Sequence, residues 1–251
     1  MDKYTLKNIF KKSFVGVVWR MEADTANGLF AVETRQADGG TAAYSVIRYE
    51  TGEFLLHEIA YGDRNWTLVG FVEGRILLRA LGTDTPMAPG ITCLDAYSGR
   101  VIWEQFNYVW LGLDGGEVIA RHRNFAGGYE QRLDVHSGQI EQKRNIPNKP
   151  TAPPIVLPEL HYGQSPAFLA KYSIYSDLVC CRVADKVVWG FHEKMGQHYQ
   201  IRLVISNDIR VLADPIVLSG LERMIPELFF MIGSHLFMIG NNKREIIAYL
   251  V

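Results

Sequence analysis

An excess of either charge is missing from this 251-residue chain: Lys and Arg number 26, Asp and Glu 27, for a net charge of −1. A balance that close supplies no attraction to DNA, RNA or an anionic membrane surface, so neither nucleic acid nor membrane is expected as a partner. Cysteine is scarce, with three residues. Cys180 and Cys181 are adjacent, and on a strand they would point to opposite faces. That leaves no disulfide framework, and no zinc-type spacing is present, so no metal site is expected. Free thiols suit a reducing compartment, and the chain is read as cytoplasmic.

Long apolar runs are absent too. The basic stretch 7–12 followed by apolar residues 14–19 imitates the start of a signal peptide. Arg20, Glu22 and Asp24 then stop it, no small-residue cleavage site follows, and no other run is long enough to cross a bilayer. Phosphate-loop, dinucleotide and EF-hand patterns do not occur, and Asp38-Gly39-Gly40 and Asp114-Gly115-Gly116 read as turns.

What is present is a phrase written three times: Tyr49-Glu50-Thr51-Gly52-Glu53-Phe54, then Asp95-Ala96-Tyr97-Ser98-Gly99-Arg100, then Asp134-Val135-His136-Ser137-Gly138-Gln139. Each copy is a strand, a tight Ser/Thr-Gly turn and a second strand. Ahead of each lies a hairpin of two apolar strands, turning at Asn27-Gly28, Glu73-Gly74 and Gly115-Gly116. The unit is therefore four strands, called A to D here, repeating every 41–46 residues or about one propeller blade. The strands are expected near 17–22, 29–34, 42–49 and 53–59 in the first unit. The second places them near 66–72, 75–81, 91–96 and 100–106, and the third near 108–113, 117–123, 129–135 and 139–144.

A fourth unit is expected from the apolar runs at 178–183, 186–191, 199–205 and 210–213. A fifth has A to C at 228–232, 235–239 and 244–250 and lacks its D strand. Residues 6–14 resemble a D strand, so the N-terminal segment is expected beside 246–250, completing the last blade and closing the ring. The expected fold is all-β, a single propeller domain (1–251) of five four-stranded antiparallel blades. Residues 146–172 hold six prolines. They read as a loop or extended insertion between the third and fourth blades, because proline cannot donate to a sheet ladder.

With Asp95 before it and Trp103 after it, the turn phrase resembles the repeats of quinoprotein-like, pyrroloquinoline-quinone-type β-propellers, which end in a Leu-Asp-x-x-Ser/Thr-Gly-x-x-x-Trp pattern. Leu94, Asp95, Ser98, Gly99 and Trp103 match throughout. Leu133, Asp134, Ser137 and Gly138 match with Gln142 at the Trp position. Thr51 and Gly52 match with Arg48 and Leu56 at the Asp and Trp positions. The whole chain also resembles a bacterial family carried in Bacteroidetes that has no assigned function. The quinoprotein resemblance implies fold rather than activity, since sites are grafted onto folds. Cys180-Cys181 superficially matches the vicinal pair of quinoprotein dehydrogenases but lacks their metal ligands, and no cofactor is expected.

The D–A and B–C loops of a propeller share one face with the mouth of the channel, where a site is expected. Asp63, Arg64, Asn65 and Trp66 put an acid, a base, an amide and an indole at one blade entrance. Trp19, Trp66 and Trp110 fall in three successive A strands, either as an aromatic wall for a flat or sugar-like ligand or as packing between blades. Trp103 and Trp189 read as core. His192 and His198 could face each other across a hairpin beside Glu193, without a third metal ligand. In the insertion, His161, Tyr162 and Gln164 are candidates for partner contact, and no nucleophile elbow accompanies Ser165. The favoured function is a non-catalytic scaffold engaging a protein or peptide through the loop-bearing face. A small-molecule or carbohydrate binder or enzyme at the channel mouth is the alternative, followed by a quinone-dependent oxidoreductase.

Overall fold

The computed structural model describes residues 4–36, 40–80, 90–124, 129–140, 154–207, 210–240 and 242–251. Asp38, the loops around 82–88 and 125–128, Gln142 and most of the expected strand at 139–144 lie outside them. The structure is all-β and antiparallel, with one short 3-10 turn at Ala167–Leu169. No helix among the described residues is long and apolar enough to cross a membrane. The chain divides into two compact units, Phe14–Ala152 and, together, Met1–Ser13 with Pro153–Val251.

The Phe14–Ala152 unit holds three sheets. The first is β2 (Val17–Asp24), β3 (Leu29–Arg35), β4 (Ala43–Arg48) and β5 (Glu53–Ala60), paired in chain order. The second is β6 (Trp66–Val72), β7 (Arg75–Ala80), β8 (Ile91–Asp95) and β9 (Val101–Gln105), and the third is β10 (Tyr108–Asp114), β11 (Glu117–His122) and β12 (Glu130–Asp134). An isolated bridge from Leu133 to Ile140 starts a fourth strand there. The A-to-D reading therefore holds for two complete sheets and the described part of a third. Apolar alternation places Leu29, Ala31, Tyr44 and Val46 of the first sheet against Leu68, Phe71, Ile76 and Leu78 of the second. Leu77, Cys93 and Trp103 meet Val118, Ala120 and Leu133 of the third in the same way.

The repeated phrase does the same physical job in the second and third sheets. The Asp95 carboxylate accepts the Tyr97 and Ser98 N–H groups (3.2 and 2.8 Å) and the Ser98 hydroxyl (2.8 Å), and the Gly99 N–H closes the turn on the Asp95 carbonyl at 2.8 Å. Asp134 repeats this with His136 and Ser137 at 3.0, 2.7 and 2.9 Å, and Gly138 closes on its carbonyl at 2.8 Å. Burial raises both carboxyls, but the hydrogen bonds outweigh it and hold them below the ordinary value.

The glycine has a second reason beyond its positive φ of 69° at Gly99 and 66° at Gly138. A Cβ on Gly138 would lie 2.6 Å from the Trp103 ring, and one on Gly99 would lie 2.7 Å from Ile59 and 3.6 Å from Leu56. The residue at the signature Trp position of one sheet thus packs on the turn glycine of the next. Trp103 also donates its indole N–H to the Val135 carbonyl at 2.9 Å. The phrase is a joint between neighbouring sheets.

The other unit holds two sheets. One runs β15 (Val179–Val183), β16 (Lys186–Met195), β17 (His198–Ser206) and β18 (Val211–Ala213), with β14 (Glu159–Leu160) on the outer edge of β15. The second runs β20 (Phe230–Ile232), β21 (His235–Ile239), β22 (Glu245–Leu250) and β1 (Lys7–Ser13), with β13 (Ile155–Val156) on β20. The expected N-terminal strand does pair beside the C-terminal one, with Lys11 opposite Ile247 and its ammonium 2.9 Å from Glu245. The sheets share a core of Val188, Ile201 and Leu203 with Met231, Leu236 and Met238.

Three features differ from the sequence reading. The stretch read as a loop or extended insertion supplies two short paired strands, β13 and β14, with Pro154 and Pro158 standing outside the paired residues. The hairpin of β16 and β17 is longer than expected. An unanticipated strand, β19 (Ile216–Leu221), pairs with β17 beyond the reach of β18.

Candidate functional site

The first strands of the three repeat-built sheets share an irregularity that hydrophobic patterning does not show. In each A–B pair the register slips by one residue at the same place: between Val18 and Arg20, between Leu68 and Gly70, and between Trp110 and Gly112. The extra residues are Trp19, Val69 and Leu111. A bulge of this kind kinks the strand and re-aims the extra side chain. It also resets the equivalences. Trp110 corresponds to Val18 and Leu68, Trp66 lies further toward the start of its strand, and Trp19 is the bulged residue. The three tryptophans therefore do not make a wall of equivalent positions.

Trp66 is a packing residue. Its ring lies against Tyr61 (5.1 Å) and Phe106 (6.5 Å), and so close over the α-carbon of Gly62 that a Cβ there would clash with it. Tyr61 hydrogen-bonds Thr92 at 2.7 Å and donates to Glu104 at 2.6 Å; burial, then the Glu104 carboxylate, pushes its phenol upward. Trp110 covers Gly70, where a Cβ would be 3.2 Å from the indole. Trp19 differs: it is 60% exposed.

Trp19 is held by a group that sequence reading missed. Arg35, near the end of β3, lays its guanidinium over the indole at 5.5 Å. The same guanidinium donates to the Arg64 carbonyl and the Trp66 carbonyl, both at 2.8 Å, and to the Glu33 carboxylate at 2.6 Å. Glu33 is wholly buried and accepts from the Thr67 hydroxyl at 2.8 Å and the Leu68 N–H at 2.7 Å. A buried carboxylate with this many donors is fully satisfied, and it fixes the arginine that fixes the tryptophan. The signal in sequence was Glu33-Thr34-Arg35 ending a strand that is apolar at every other residue.

Arg35 thereby brings Trp19 to the turn at 63–66. Asp63 and Asn65 engage each other: Asp63 accepts the Asn65 N–H at 2.9 Å and its side-chain amide at 3.2 Å. The Arg64 side chain is exposed beside them.

In the other unit, His161 turns inward, edge-on to Trp189 at 5.2 Å, with Nε2 3.3 Å from the Gln164 carbonyl. Tyr162 is 88% exposed, and Gln164 is exposed as well. Beyond them, Leu169 is buried against Trp189 and Phe191, so this end of the stretch is packed onto the sheet. Tyr172 donates to Asp214 at 2.6 Å, and Lys171 lies 3.4 Å from the same oxygen. Those partners hold the Asp214 carboxyl below its ordinary value against the opposing effect of burial. Arg202 ties Asp214 to Glu193 by bonds of 2.7 and 2.9 Å.

The two histidines do not face each other. His192 is opposite Ile201 and His198 opposite Met195. His192 is 2% exposed and its Nε2 accepts the Ile225 N–H at 3.1 Å, whereas His198 is exposed. Among the described residues no three His, Cys, Asp or Glu side chains gather as a metal site. Cys181 is buried and Cys180 half-buried, consistent with opposite faces of β15. Burial pushes the Cys93 thiol up to about 12 and Cys181 to about 11, which keeps both protonated at neutral pH.

No protein-family model matches the chain and no curated protein matches it. The Bacteroidetes resemblance accordingly has no further support. Among solved structures the chain is similar to BamB from Moraxella catarrhalis, at 11% identity and a TM-score of 0.34, over 94% of this chain and 85% of that one. It is also similar to the β-propeller domain of the Trilobed protease from Pyrococcus furiosus, at 11% identity and a TM-score of 0.35. There 90% of this chain is aligned, spanning 63% of the length of the other.

Proposed function

We propose that this chain is a non-catalytic β-propeller of five blades that engages a peptide segment of a partner protein, with Trp19 as the anchor. The propeller reading is supported by the chain-order pairing of four strands in successive sheets and by the N-terminal strand seated in the last of them. The binding reading is carried by one observation: an indole left 60% exposed while its position is fixed by Arg35 on buried Glu33. Exposed aromatics immobilised before binding are what interface hot spots require, because the ordering cost is met in advance. Asp63 and Asn65 bond to each other, and the exposed Trp19 indole and Arg64 side chain beside them are the groups we take to be offered. That pair suits a peptide better than a sugar, which needs several free hydrogen-bond partners.

The test is selection from a random peptide library on the purified chain, alongside a glycan array. Peptides are expected to be enriched, and Trp19→Ala to weaken them by about 2 kcal/mol, or some thirtyfold. Enriched peptides indifferent to Trp19→Ala would overturn the anchor. Glycan binding in the absence of peptide binding would favour the carbohydrate alternative.

A further inference from the structure

A second surface lies in the other unit and does not depend on Trp19. Ile155 and Val156 pair with Ile232 and Met231 of β20, and Glu159 and Leu160 pair with Cys180 and Val179 of β15. His161 adds an N–H bond to the Leu178 carbonyl at 2.8 Å. Both β15 and β20 are the first strands of their sheets, and both pair with the following strand without any slip in register. Their outer edges are therefore straight rows of N–H and C=O groups, the kind that accept another strand. The three first strands of the Phe14–Ala152 unit are all bulged, and none carries an added strand among the described residues. Straight edges are filled and kinked ones are not, as edge chemistry requires.

The filling is poor. Each added strand is two residues long: β14 covers two of the five residues of β15, and β13 two of the three of β20. Their apolar side chains gain little from burial, with Ile155 49% and Leu160 45% exposed. Pro154 and Pro158 preset an extended backbone and also stop either strand from lengthening. Such a short segment stays in place because it is tethered nearby.

We propose that the edges of β15 and β20 form a strand-addition site for an extended peptide of a partner protein with apolar residues at alternate positions. Segment 154–161 is the chain's own provisional occupant, displaced when that peptide arrives. Main-chain bonds would then give affinity and the alternate side chains selectivity.

The probe is a fluorescein-labelled synthetic peptide copying residues 154–161, titrated against the full chain and against a full-chain variant with Ile155→Gly, Val156→Gly, Glu159→Gly and Leu160→Gly. The variant is expected to bind it at least about tenfold tighter than the parent, and a scrambled peptide not at all. Equal binding to both, with the variant melting as cooperatively as the parent, would overturn the proposal. Hydrogen exchange on the unaltered chain provides a reading that needs no variant. The amides of 155–160 are expected to exchange at least about a hundredfold faster than those of β16, and equal protection would overturn the idea of a displaceable occupant. Concentration-dependent dimerisation of the parent, lost in the variant, would make the occupant a second copy and overturn the partner assignment.

Discussion

The two units solve the same problem, joining antiparallel sheets into a core and protecting the outermost strands, by different means. In Phe14–Ala152 the joint is a repeated chemical phrase. An Asp-capped turn presents a glycine, and the neighbouring sheet lays Trp103 or Leu56 upon it. Edge protection is equally repetitive, with one bulge in each first strand. In the other unit neither device occurs among the described residues. The outer face of its first sheet is covered by Leu169 and Phe168, and its first-strand edges are capped by segment 154–161.

The joint can be broken most forcefully at Trp103. Trp103→Ala is expected to cost about 3–5 kcal/mol in urea denaturation, by lost burial and a cavity beside Gly138. Gly138→Ala alone is expected to cost about 2–4 kcal/mol, from a Cβ inside the indole and a left-handed backbone. In the Trp103→Ala background that second penalty should fall to the backbone share of about 1–2 kcal/mol. Strictly additive penalties would mean the two residues do not form a joint.

The bulge can be removed directly. Deleting Leu111 straightens β10, and the comparison predicts concentration-dependent self-association in light scattering, as a newly regular edge recruits another strand. A deletion variant that stays monomeric would show that the bulges shape the strand without protecting it.

The smallest effect concerns acid. Burial lowers His192 below its ordinary value of 6.5, so the folded state disfavours the charged ring that the unfolded chain accepts. Its contribution is intact above that value and is lost as pH falls from it toward the lower folded value. The Ile225 N–H also needs an unprotonated Nε2. His192→Gln is expected to flatten stability between neutral and mildly acid pH, and an unchanged pH profile would remove His192 from the account.

Most strands were legible because their apolar alternation is local and their turns use Asn-Gly, Glu-Gly or Ser-Gly. The bulges were not, since a slip of one residue leaves the count of apolar positions unchanged. Gly70 and Gly112, just after two of them, were the only trace. That hidden slip is why Trp19, Trp66 and Trp110 looked equivalent. Strand β19 was missed because Pro215 and Gly220 interrupt a six-residue run, and because it shares one long partner strand with β18. The Glu33–Arg35 anchor was missed because a wholly buried carboxylate is legible only with its donors, and Thr67 and Leu68 lie in another sheet. Of the candidates, Trp19, Asp63, Arg64, Asn65, Tyr162 and Gln164 stand open, whereas Trp66 and Trp110 are packing residues and His161 faces inward.

The pairing of β1 with β22 also sets a timetable. Ser13 and Glu245 sit opposite one another although 232 positions separate them. During synthesis the first strand emerges long before its partner exists, and its free edge must wait while the residues between them are made. Closing so distant a pair is entropically slow, so this sheet is expected to form last in refolding as well. Lys7, Lys11 and Lys12 give the waiting strand a charge that keeps it from the wrong neighbours, and Lys11 later finds Glu245. The same lysine thus acts twice, first as a guard against misassembly and then as part of the seam.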